Sequence, residues 1–229
     1  MIDSLPIVLV PGLFCTARLY AEQLNALWKF GPVTIADHTR DESMAAIAQR
    51  ILASAPPRFA LAGLSMGGYV ALEIMRQAAE RVIKLSLLDT TARPDTPEQT
   101  EVRRKQIELA SGGQLGKVVE AALPNLVHKE ESVRVVVRQM AIDTGPASFM
   151  RQQKAIMSRA DSRPLLATIS CPTLVVVGEQ DKLIPPDRSK EMADAIVGAR
   201  LVIIPECGHL STLEQPIATT KALVDWLST

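Results

Sequence analysis

Six short apolar runs, rich in β-branched residues, recur along the chain at 7–10, 33–36, 59–64, 82–88, 173–177 and 201–204. Most are unbroken rather than alternating. A strand with one wet face alternates polar and apolar residues, whereas an unbroken run suits a strand covered on both faces of a parallel sheet. Helix-period stretches separate them. Met44, Ala48, Ile51, Leu52 and Ala55 share a face of 43–55, and 66–81 is apolar apart from a stripe of Glu73, Arg76, Gln77 and Glu80. The stretch 185–197 opens on Pro185-Pro186 and stops at Gly198, and 216–227 forms a last helix after Gln215. Strands alternating with helices imply right-handed crossovers. The expected fold is α/β, a mostly parallel sheet of about six strands flanked by helices.

Residues 91–170 break the alternation, since no buried strand is legible there. Thr96-Pro97-Glu98-Gln99 reads as a capping box with proline at the first helical position, starting a helix that runs to Gly112-Gly113. Val133, Val136, Val137, Met140 and Ala141 recur at helical spacing, and 150–160 carries Ile156 and Met157 on one side. The expectation is a helical cap inserted after the fourth strand, over the carboxyl edge of the sheet. The chain then divides into a core, 1–90 with 171–229, and a cap, 91–170.

The 229 residues carry 25 Lys+Arg against 25 Asp+Glu, and a net charge of zero argues against a nucleic-acid binder or a membrane-surface protein. Cys15, Cys171 and Cys207 form neither a disulfide framework nor a C-x-x-C metal pair. Residues 1–6 lack the basic and apolar regions of a signal peptide, and no apolar run approaches the roughly 20 residues that span a bilayer. These features predict a cytoplasmic protein.

The chemistry is concentrated in Gly63-Leu64-Ser65-Met66-Gly67-Gly68, which follows one expected strand and opens a helix. A G-x-S-x-G there makes a tight turn that projects a serine hydroxyl into a crevice, with glycines where side chains would meet backbone. Serine becomes nucleophilic only when a base takes its proton. Of the three histidines, His209 follows the last strand, at the same sheet edge as Ser65. His38 reads as a polar loop residue near the rim, and His128 as a surface residue of the insertion. Asp181, on the strand-end loop before His209, is the favoured carboxylate to orient the imidazole. Its rival, Asp89, would anchor the entry to the cap or a turn with Thr90 and Thr91. The backbone N–H groups of Met66 and of Leu13, in Pro11-Gly12-Leu13-Phe14, are the candidate oxyanion donors.

Ser65 in its elbow, Asp181 after a strand, His209 near the C-terminus and the intervening helical segment together resemble the α/β-hydrolase fold superfamily. The resemblance spans essentially the whole chain and is closest to the small, capped serine esterases and related acyl hydrolases. Pro11-Gly12 stands where that branch usually has His-Gly. The resemblance implies cleavage of carboxylic esters through an acyl-enzyme, with no cofactor and no metal. A thioesterase or a C–C bond hydrolase on the same triad remains open, as does a non-catalytic receptor on the same fold. A serine at the elbow argues against the dehalogenases and epoxide hydrolases, which use aspartate there.

Phe14, Leu123, Leu126, Met150 and Leu183 are candidates for an aliphatic substrate pocket, with Leu13 and Met66 beside them. The expected partner is a small-molecule or polymeric ester, with neither nucleic acid nor membrane. The segment 91–170 holds 12 basic against 9 acidic residues, leaving 13 against 16 elsewhere. Its arginines, Arg93, Arg103, Arg104, Arg134, Arg138, Arg151, Arg159 and Arg163, are expected mostly on solvated faces. One or two could clamp a substrate carboxylate or dock an acidic acyl carrier.

Overall fold

The computed structural model describes residues 4–229, so the first three residues of the stretch 1–6 lie outside it. Each expected strand is present: β1 (Ile7–Val10), β2 (Val33–Ile35), β3 (Phe59–Leu64), β4 (Val82–Leu88), β5 (Thr173–Gly178) and β6 (Arg200–Ile204). They form one sheet in the order β2-β1-β3-β4-β5-β6, and every neighbouring pair is parallel. The unbroken runs behave as their composition demands, since β1, β3 and β5 are buried at every position. The edge strands β2 and β6 are the ones that keep exposed residues.

Strand order fixes where a site can form. The chain goes outward from β1 to β2, then returns past β1 to β3, so the connections leaving β1 and β3 diverge and open a crevice at the carboxyl edge. Val10 lies beside Gly63 and Leu88 beside both Leu64 and Val176, which brings the following loops to one edge.

The helices are α1 (Leu24–Leu27), α2 (Met44–Ser54), α3 (Met66–Ala78), α4 (Pro97–Ser111), α5 (Leu115–Leu126), α6 (Glu131–Met157), α7 (Arg163–Leu166), α8 (Pro186–Ala195), α9 (Ser211–Glu214) and α10 (Pro216–Ser228). On one face of the sheet, Ile47 and Ile51 of α2, Val70 and Ile74 of α3 and Met192 of α8 join Val8, Leu61 and Leu85 in a single apolar cluster. The other face carries α1 and α10, and its cluster continues through Leu64 and Leu88 into Val118 and Leu123 of α5 and Val137 of α6.

Between β4 and β5 the chain is helical, as expected. The capping box at Thr96 and Gln99 starts α4, with Pro97 in its first turn. The β-branched run at 135–137 is no obstacle to α6, because Val133, Val137 and Met140 bury one helical face while Val135 is exposed. Gly145 (φ 72) and Pro146 break α6 within its length. α5 has no capping signal in the sequence, since Gln114 makes no side-chain cap. No helix among the described residues is long and apolar enough to cross a membrane.

Close approach of α3 to the sheet dictates the glycines. A Cβ on Gly67 would lie 1.9 Å from the Val10 carbonyl oxygen, and one on Gly63 would lie 2.2 Å from the Gly67 oxygen. Both contacts are with backbone, which cannot swing aside. Gly67→Ala should therefore lower unfolding stability by about 3 kcal/mol, read as a shift of the urea midpoint. An unchanged midpoint would show that the turn can relax.

Candidate active site

Ser65, His209 and Asp181 lie on three loops that leave the carboxyl edge after β3, β6 and β5. Ser65 Oγ is 2.8 Å from His209 Nε2, and His209 Nδ1 is 2.8 Å from Asp181 Oδ2. The network assigns the tautomer: the serine hydroxyl donates to Nε2 and the Nδ1–H donates to the carboxylate. Asp181 Oδ1 accepts from the N–H groups of Leu183 and Ile184, both at 2.9 Å, so the carboxylate cannot rotate freely. His209 and Asp181 are almost completely buried. Burial alone would lower the His209 pKa, but the carboxylates of Asp181, Asp89 and Glu214 outweigh it and hold the imidazole above its usual value.

Ser65 has φ 56 and ψ −116, a conformation that non-glycine residues rarely adopt. Its N–H donates to Leu88 O, and its own carbonyl accepts from the Thr90 hydroxyl at 2.7 Å. The other non-glycine residues with positive φ among the described residues are Phe14, Asp89 and Glu206. All four follow strands at this same edge. Strain of about 1–3 kcal/mol per residue persists only where the surroundings enforce it, and such positions gather at functional sites.

Asp89 does not enter the hydrogen-bonded chain of Ser65, His209 and Asp181, nor does it cap a turn with Thr90 and Thr91. Its Oδ1 accepts from the Gly178 N–H at 2.9 Å and its Oδ2 accepts from the Ser211 hydroxyl at 2.5 Å. One buried carboxylate thus ties the end of β5 to the helix after His209. Burial and the neighbouring Asp181 carboxylate push its pKa above the usual carboxylate range. Glu214 braces the same region, accepting from the N–H groups of Leu210 and His128.

The loop after β1 lies over the elbow, where a Cβ on Gly12 would sit 3.5 Å from Ser65 Cβ. Among the described residues, neither the Leu13 nor the Met66 N–H donates to a protein acceptor. Three side chains hold this loop in shape. His38 is buried, rather than a polar residue of the rim, and its Nε2–H donates to Gly12 O at 2.8 Å. Phe14, at φ 47, donates its N–H to Gln152 Oε1 at 3.0 Å and accepts from the Thr144 hydroxyl at 3.1 Å. Gln152 and Thr144 both belong to α6, so the inserted helices fix the backbone beside Ser65.

A cavity of about 460 Å³ lies between this edge and α4 and α5. Ser65, His209, Leu13, Phe14, Leu126 and Leu183 line it. Leu123 and Met150 do not, contrary to expectation. Leu123 turns into the apolar cluster shared with α6, and Met150 packs against that cluster from outside. The Met66 side chain is buried on the opposite face of the sheet, leaving only its N–H to the crevice. Most arginines of the insertion have acidic partners: Arg93 with Glu191, Arg104 with Glu101, Arg138 with Glu120 and Arg163 with Asp161.

A sequence profile of the Alpha/beta hydrolase family matches residues 7–222. The chain belongs to the alpha/beta hydrolase family. Among solved structures it is similar to a thermophilic esterase from Thermogutta terrifontis in its malate-bound form, at 32% identity and a TM-score of 0.90, over 98% of this chain and 89% of that one. The enol-lactonase from Burkholderia xenovorans LB400 is 26% identical, with a TM-score of 0.89, over 99% of this chain and 92% of that one. A Mycobacterium tuberculosis protein named as a non-heme bromoperoxidase, BpoC, is 29% identical over 184 residues, 76% of this chain and 69% of the relative.

In this alpha/beta hydrolase, sequence reasoning missed the braces: His38, Gln152, Thr144 and the bridging role of Asp89. His38 follows a strand, which places it near the edge, but nothing local reveals its bond to a residue 26 positions away. Gln152 is fully buried on a helix of mixed polarity and leaves no periodic signal. Gln152→Leu should leave the Phe14 N–H buried without an acceptor, costing about 1–3 kcal/mol. Amide exchange at Phe14 should then accelerate; unchanged exchange and stability would show that the bond is dispensable.

Proposed function

We propose that this hydrolase is a serine esterase acting on carboxylic esters. The observation that carries the reading is the continuous chain of 2.8 Å contacts from Ser65 Oγ through His209 to buried Asp181. In this reading Ser65 Oγ attacks the ester carbonyl while His209 Nε2 takes its proton. Asp181 keeps the imidazole oriented and stabilises its cationic form. The Leu13 and Met66 N–H groups receive the oxyanion, the second of them at the positive end of α3. His209 then returns the proton to the departing alcohol, leaving an acyl-Ser65. Water, activated by the same imidazole, releases the acid.

Residues 91–170 act as the cap. Leu126 O accepts the His209 N–H at 3.1 Å and Gln152 holds Phe14, so the cap supports the site as well as covering it. The similarity to an esterase and an enol-lactonase over nearly the whole chain supports ester chemistry rather than another use of the fold.

The test is hydrolysis of p-nitrophenyl esters of graded chain length as a function of pH. Ser65→Ala should abolish turnover, and Asp181→Asn should lower kcat by about 10⁴-fold, whereas Asp89→Asn should cost far less. Because His209 must be neutral to accept a proton and its pKa is raised, kcat/KM should fall as pH drops through a value above 6.5. Asp89→Asn removes one of the carboxylates that raise it, so the acid limb should move to lower pH. Loss of activity in Asp89→Asn but not in Asp181→Asn would reverse the assignment, and full activity in Ser65→Ala would end it.

A further inference from the structure

The cavity above Ser65 is lined by Arg93, Arg103, Arg159 and Arg188, and no Asp or Glu among the described residues lines it. Two of these four share one acid. Arg103 reaches Asp95 through Nε at 2.7 Å, and Arg159 reaches the same carboxylate through Nη1 at 2.6 Å. The side chains of Arg159 and Asp95 are 7% and 3% exposed, so two guanidiniums stand against a single buried carboxylate and one positive charge is left over. Arg103 Nη2 reaches the same Asp95 at 3.3 Å, and the other bonds go to neutral acceptors, so none cancels it. Arg103 Nη1 donates to Gln153 Oε1, and Arg159 donates to the carbonyls of Arg93 and Ile156. The Arg159 guanidinium also lies 4.3 Å above the Tyr69 ring, which fixes its plane.

Arg159 Nη2 has no hydrogen-bond partner among the described residues, although Nε and Nη1 are both engaged. Among the described residues Arg188, near the start of α8, has one acidic partner, a 3.4 Å approach to the mostly exposed Asp187. Excess positive charge in a poorly hydrated wall is a cost that an anion would offset. A planar guanidinium with a spare donor suits a carboxylate. Apolar residues complete the same cavity, among them Val118, Ala122, Leu126 and Phe149.

Resting on the esterase reading, we propose that this cavity carries an anion subsite. Arg159 and Arg188 are its ligands, Arg103 and Asp95 hold Arg159 in place, and the substrate is an ester joined by an aliphatic segment to a free carboxylate. The half-ester of an aliphatic dicarboxylic acid is the simplest molecule with this chemistry.

Rates on monomethyl adipate and on methyl hexanoate, followed by pH-stat, give the preference of the wild-type protein for the charged ester. It should be about tenfold or more in kcat/KM, decrease with added salt, and fall toward one in Arg159→Gln and in Arg188→Gln. Arg188 is partly exposed, so its variant serves if Arg159→Gln does not fold. Adipate itself should bind the wild-type protein in calorimetry and bind either variant about tenfold more weakly. Equal rates on the two esters, with no binding of adipate, would overturn the subsite while leaving the esterase reading intact. A preference or affinity unmoved in both variants would also overturn it. Binding of adipate without hydrolysis of either ester would support the subsite and count against the esterase.

Discussion

The backbone at Ser65 is the constraint on which the rest of the site depends. A residue with φ 56 between a strand and a helix is locally unfavourable, and it holds because its surroundings leave no alternative. Gly67 lets α3 press against the Val10 carbonyl, Leu88 O receives the Ser65 N–H, and Thr90 grips the Ser65 carbonyl. The same packing sets the Met66 N–H and the hydroxyl of Ser65 at the mouth of the crevice between β1 and β3. Everything added later in the chain is fitted to that point. Asp89 ties β5 to the helix after His209, so the imidazole and its carboxylate arrive in register with a hydroxyl whose position is already decided.

Electrostatics follow a similar division of labour. The insertion is rich in arginine, yet most of its guanidiniums are matched by acids on their own helix or on a neighbour. In the wall of the cavity the match fails, because Asp95 serves two arginines. Around His209 the balance is reversed, because Asp181, Asp89 and Glu214 cluster there and raise its affinity for a proton. The negative cluster suits a base that must become an imidazolium, and the positive wall suits an anionic ligand. A net charge of zero for the whole chain conceals both.

The fold was largely legible because its signals are local. Unbroken apolar runs specify strands buried on both faces, and the proline and capping-box punctuation marks the starts of α4, α8 and α10. The positions of Ser65, Asp181 and His209 after strands were enough to place them at one edge, since parallel strands end on the same side. What the sequence hid is of another kind. Gln152 and Phe14 are 138 residues apart and meet through one hydrogen bond, and the sharing of Asp95 depends on how α4 packs against the segment after α6. Such contacts have no period and no motif. The pocket residues divide for the same reason: Leu126 and Leu123 are three positions apart on α5, and only tertiary packing decides that the first faces the cavity and the second the cluster.

The most direct test of the central claim is covalent. The protein is incubated with a serine-directed phosphonate, digested and mapped by tandem mass spectrometry. A single adduct is expected, on Ser65, forming more slowly as pH falls and His209 becomes protonated. A folded protein that takes no adduct, or takes it on another serine, would contradict the claim that Ser65 is an activated nucleophile.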